Sequence, residues 1–134
     1  MPIEIILHVL LMLLAAVLIV TAIVTAHNKK TPSWFKNHRI LAILGVISAL
    51  IGGTIMFFHK MELGYPHFKS PHALLGVLGI LLLIITPAIG TFMLAGRPKL
   101  RPVHRVLGRI TAGVVLIAAS VGALSLLRIM HLLG

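Results

Sequence analysis

Four long apolar runs divide the chain, and they constrain its fold more than any other feature. They lie at about Ile3 to Ala26, Ile40 to Phe58, Ala73 to Ala95 and Val106 to Leu133. A helix needs about 20 residues, rising about 1.5 Å each, to cross a hydrocarbon core about 30 Å thick. Each run reaches that length. Backbone groups in lipid must be satisfied internally, and no run alternates with a period of two, so the runs are expected to be helices. Composition supports this: 59% of residues are hydrophobic and only 10% charged. A water-soluble domain normally carries about a quarter charged residues. The expectation is a single domain over residues 1–134, an all-α integral membrane antiparallel four-helix bundle with helices at about 3–26, 38–58, 72–95 and 104–133.

The connections are short and carry helix breakers, so sequential helices should be antiparallel. Pro71 and Pro102 stand at helix starts, where a missing N–H costs little, and Pro87 falls inside the third run, where it should kink the helix. The first run lacks a basic leader and is too long for a signal-peptide core, so it reads as a retained helix. The net charge is +10, with Glu4 and Glu62 the only acids. The basic residues lie between apolar runs, which points to the anionic membrane surface and not to nucleic acid. No cysteine is present, which excludes disulfides and thiolate chemistry. Lys29, Lys30, Lys36, Arg39, Arg97, Lys99, Arg101, Arg105 and Arg109 fall on the side of the first and third loops. Only Lys60, Lys69 and Arg128 fall on the other. The bias puts the first and third loops in the cytoplasm and both termini outside. A bacterial or archaeal cytoplasmic membrane is the expected location. Gly52-Gly53 is the kind of small-residue face on which a homodimer or a partner subunit packs.

Histidine inside a bilayer is costly and usually functional. His8, His38, His72 and His104 each sit at or within the start of one helix. Helix direction places His8 and His72 toward the outer face, and His38 and His104 toward the cytoplasmic face. Two imidazoles pointing across a bundle core are what a six-coordinate haem iron requires. A flat macrocycle also needs room on the ligand's helix face. Gly76 and Gly108 follow His72 and His104 by four residues, and Ala42 and Gly45 follow His38 by four and seven. His8 is followed instead by the larger, flexible Met12. Two readings stand at this point: paired haem ligands, or hydrogen-bonded interfacial histidines.

Four stretches resemble the cytochrome b561 superfamily: His8-Val9-Leu10-Leu11-Met12, Trp34-Phe35-Lys36-Asn37-His38-Arg39, His72-Ala73-Leu74-Leu75-Gly76 and His104-Arg105-Val106-Leu107-Gly108-Arg109. Thr86-Pro87-Ala88-Ile89-Gly90 adds to the likeness. It covers nearly the whole chain, one motif per helix in order. The resemblance implies two b-type haems, iron protoporphyrin IX, one near each membrane face. His8 and His72 would hold the outer one and His38 and His104 the inner, passing electrons over roughly 20 Å along the helix axis. Arg39, Arg105, Arg109 and Lys99 near the inner site, and Lys69 and Tyr65 near the outer, are candidates for the haem propionates, although most of the basic ones also fit membrane anchoring.

The resemblance also implies that many relatives have one or two extra helices or a fused extracellular domain. Neither is read in this sequence, so the ascorbate-dependent ferric reductase activity of some relatives is not carried over as an expectation. The electron donor and acceptor are open, a quinone or a redox protein among them, and so is whether the chain is an oxidoreductase such as a quinone or metal reductase. Two competing readings are a membrane-anchor subunit of a larger redox complex and a proton or metal transporter working through histidine. The latter should carry acids inside its spans, and only Glu4 lies near one. His27, His59, His67 and His131 read as interfacial, with His59 and His67 the alternatives to His8 on the outer face. Trp34, Phe35 and Tyr65 fit an aromatic belt.

Overall fold

The computed structural model describes residues 1–130, so His131 and the expected end of the last span lie outside the described residues. Four helices form: α1 (Ile3–His27), α2 (Trp34–Glu62), α3 (Pro71–Leu94) and α4 (Arg101–Ile129), the last preceded by a short 3₁₀ turn, Pro98–Leu100. All four are long and apolar enough to span a membrane. No strand occurs among the described residues. The chain is an all-α integral membrane four-helix bundle.

Helix ends follow local chemistry. Ser70 caps α3, its Oγ accepting from the Ala73 N–H at 3.2 Å, with Pro71 as the first helical residue. Gly64 ends α2 with φ of 66°. There the Tyr65 N–H donates to the Lys60 carbonyl and the Gly64 N–H to that of Met61, a closure that favours a residue without Cβ. Gly96, after α3, also has a positive φ, of 97°, which favours a residue without Cβ. The α2 helix starts four residues before its expected Asn37–His38 boundary and runs on past Phe58 through His59, Lys60, Met61 and Glu62. Water beyond the hydrocarbon satisfies polar side chains as well on a helix as on a loop, so hydropathy does not mark the end.

The helices pair as two hairpins, α1 with α2 and α3 with α4. The hairpins meet along α1–α4 and α2–α3, more sparsely than within each hairpin. Cα atoms of α1 and α3 nowhere approach within 8 Å, nor do those of α2 and α4, so these pairs are diagonals of the bundle. The α1–α2 contact is close because it is built from small residues. Ala15, Ala16, Ala22 and Ala49 are buried, and Ser48 Oγ donates to the Leu11 carbonyl at 2.8 Å. A Cβ on Gly45 would lie 2.8 Å from Ile19 Cδ1, so the space at Gly45 serves helix approach and not a ligand. Gly52 is buried against Leu11, and a Cβ on Gly53 would meet Ile80 at 2.7 Å. The expected face for a partner is thus taken up inside the chain. Ile19, Leu83 and Val115 join the alanines in the central layer. Only 17 to 22% of each span is buried, so large residues such as Leu10, Val17, Leu74 and Leu81 face outward, toward lipid.

Candidate functional site

The bundle diagonals bring the four helix-start histidines together in two pairs. His8 of α1 faces His72 of α3, with ring centres 6.0 Å apart and planes at 80°. His38 of α2 faces His104 of α4 at 6.2 Å and 81°. The rings are partly buried. A metal–imidazole bond is about 2 Å long. With half a ring width added on each side, two imidazoles on one metal have centres about 6 Å apart. Both pairs stand at that separation.

Each ring is also oriented. The Nδ1 of His8 bonds the Gly52 carbonyl at 2.9 Å and that of His38 the Ala22 carbonyl at 2.9 Å. The Nδ1 of His72 bonds the Ala118 carbonyl and that of His104 the Thr86 carbonyl, each at 3.0 Å. A carbonyl only accepts, so each Nδ1 carries a proton, and in the neutral ring Nε2 is then the nitrogen that keeps its lone pair. Such an outer hydrogen bond fixes the ring and raises its basicity toward a metal. Each anchoring carbonyl belongs to the partner helix of the same hairpin, whereas each facing ring belongs to the other hairpin.

The anchors follow a rule that the sequence reading missed. On every helix the carbonyl lies fourteen residues after the histidine: 8 and 22, 38 and 52, 72 and 86, 104 and 118. Fourteen residues span about 21 Å. Each helix therefore carries a ring for one pair and an anchor for the other. Four residues past two of the anchors stand Gly122 and Gly90, on which the rings rest. A Cβ on Gly122 would lie 2.6 Å from His72 Cε1, and one on Gly90 would lie 3.0 Å from His104 Cε1. The spacing is a signal the sequence contains, but it has meaning only once the helices are paired.

The expected cradle glycines divide from the packing ones. A Cβ on Gly76 would meet nothing within 4 Å, and one on Gly108 only Thr86 Cγ2, at 3.9 Å. Two recesses, of ≈ 160 and ≈ 600 Å³, flank the His38–His104 pair, and His38, His104 and Gly108 line both. Arg39 and Ala42 line the smaller, where the Arg39 guanidinium also lies 5.8 Å from the Phe35 ring centre. His27, Lys29, Arg101, Arg105 and Arg109 line the larger together with Trp34. Lys99 sits exposed on the 3₁₀ turn and lines neither. At the opposite end Tyr65 and Lys69 are exposed on the α2–α3 connection.

The remaining described histidines belong to neither pair. His27 is exposed at the end of α1. His59 Nδ1 lies 3.9 Å from Glu4, and His67 stacks on Phe57 at 4.3 Å. The ring facing His72 is that of His8.

The family described as eukaryotic cytochrome b561 matches residues 7–128. The chain belongs to the cytochrome b561 family. It is therefore a transmembrane electron carrier working through haem b. No curated protein and no solved structure matches the chain. The match spans all four helices of this cytochrome and both histidine pairs. The family's description is eukaryotic, which lends no support to the expected bacterial or archaeal membrane. The paired imidazoles with bare Nε2 atoms, and the open faces at Gly76 and Gly108, fit a flat bis-imidazole iron group.

Proposed function

We propose that this cytochrome carries two haems b at different depths and passes electrons between them across the bilayer. His8 and His72 hold one, and His38 and His104 the other. The observation that carries the reading is the pair of diagonal imidazole couples, at 6.0 and 6.2 Å, with every Nδ1 tied to a carbonyl. Bound haem supplies a one-electron iron couple. The protein supplies the rest. Two fixed imidazoles would hold the iron group at each site, which would favour electron transfer over oxygen chemistry. Helix packing keeps water from the central layer of Ala15, Ala49, Leu83 and Val115 between the sites. Arg101, Arg105 and Arg109 line the larger recess and offer donors to propionates at the His38–His104 site. The Lys and Arg bias toward the first and third loops supports a cytoplasmic position for that site and outward termini.

The test is the absorption spectrum and haem-to-protein ratio of the purified protein. Two bis-imidazole haems per chain are expected. His8→Ala and His38→Ala should each remove one and leave the other. A colourless protein made with ample haem supplied, or variants with unchanged haem content, would refute the assignment.

A further inference from the structure

A buried hydroxyl pair lies beside the anchor of His104, and nothing in the ligation scheme accounts for it. Thr86 Oγ1 and Thr111 Oγ1 are 2.8 Å apart, with Thr86 9% and Thr111 2% exposed. Thr111 Oγ1 donates to the Leu107 carbonyl of its own helix at 2.8 Å. Its proton is committed there, so Thr86 is the donor between the two. Thr21, Thr25, Thr91, Ser120 and Ser125 each bond a carbonyl one turn back on their own helix. The Thr86 proton instead leaves α3 for α4.

Thr86 therefore grips α4 twice. Its carbonyl accepts from His104 Nδ1, and its hydroxyl donates to Thr111, which lies seven residues after His104 on the same helix face. The next residue is Pro87. Proline has no N–H, so the Leu83 carbonyl loses its ordinary helical donor and α3 is weakened at this point. The hydroxyl link holds α3 in register with α4 beside that break. The other ring of the pair has no such arrangement. His38 is anchored by Ala22, on an unbroken stretch of α1 packed where Gly45 lets Ile19 approach.

We propose that Thr86 and Thr111 are positioning residues for His104, setting the strength of its Nδ1 hydrogen bond and through it the redox potential of the His38–His104 site. This rests on the two-haem reading above. A firm bond from Nδ1 to a carbonyl makes Nε2 a stronger donor and favours the oxidised iron. Loosening the link lets the Thr86 carbonyl drift, weakens Nε2 and raises the potential of that site alone. A role in helix packing only would change stability without selecting one site.

The experiment uses the full-length haem-loaded protein, with Thr86→Val, Thr111→Val, the double variant and Thr86→Ser. A spectroscopic redox titration reads the two potentials, and the one that disappears in His104→Ala belongs to the His38–His104 site. Both single valine variants should shift that potential upward and leave the other in place. The double variant should shift it no further, because one link is broken in each case. Thr86→Ser keeps the hydroxyl and should keep the wild-type value. If Thr86→Val instead sheds that haem while Thr86→Ser keeps it, the hydroxyl is again the cause. The proposal is overturned if the valine variants keep both potentials, if both potentials move together, or if serine behaves as valine. A wild-type protein holding fewer than two haems per chain would instead refute the two-haem reading.

Discussion

Replacing Gly122 by alanine tests the geometry of the His8–His72 pair most sharply. The added Cβ would stand 2.6 Å from His72 Cε1, 2.9 Å from Nδ1 and 3.3 Å from Nε2. Carbon atoms rest about 3.5–4.0 Å apart, so the ring must retreat by about 1 Å. It cannot do so and keep its 3.0 Å bond to the Ala118 carbonyl, which is worth about 1 kcal/mol. Metal ligation tolerates only about 0.2 Å. The displacement is thus several times what the site accepts, and Gly122→Ala should hold one haem per chain where two are proposed for the wild type. Gly90→Ala makes a gentler contact, with a nearest distance of 3.0 Å to His104, and should lose its haem only in part. Gly113→Ala is the control, since a Cβ there meets nothing within 4 Å. The measurement is the haem-to-protein ratio of monodisperse protein in detergent, with the reduced absorption bands. If Gly122→Ala retains both haems with unchanged bands, or Gly113→Ala loses as much, the reasoning is wrong.

The open face at Gly76 gives a converse prediction. A Cβ at Gly76 meets no atom within 4 Å, so the Gly76→Leu apoprotein should fold with a nearly unchanged thermal midpoint while its haem content falls by about half, as a cradle for a macrocycle requires. Equal haem content would place the macrocycle elsewhere. The orientation is tested by single-cysteine labelling, which is clean because the chain has no cysteine of its own. A membrane-impermeant thiol reagent outside the cell should label Phe68→Cys and spare Thr31→Cys, and the opposite pattern would invert the assignment.

The spans and the histidine pairing were legible in the sequence for physical reasons. Lipid demands a long apolar run, and short loops fix helix direction, so His8 had to share a membrane face with His72 and His38 with His104. The open space at Gly76 and Gly108 was legible too, through their four-residue offset from a ring on the same helix face. Gly45 satisfied a similar offset and misled, because its missing side chain admits Ile19 of α1. Gly52 and Gly53 misled in the same way: a small residue signals close approach without saying to what. Lys99 was grouped with its neighbours by chain position, yet the 3₁₀ turn carries it away from both recesses that Arg101 and Arg105 line. The four anchors were invisible, since every residue has a carbonyl and only tertiary pairing chooses among them.

The fourteen-residue interval between ring and anchor is written into each helix separately. A bilayer that thickens or thins is met by tilting the bundle, at a modest cost per ångström of mismatch. Tilt changes how deep each imidazole couple lies, but it does not stretch the gap between the couples, which backbone hydrogen bonding alone sets. In the two-haem reading, the distance between the two sites is therefore insulated from lipid composition. Lengthening or shortening it would take an equal insertion or deletion in all four spans at once.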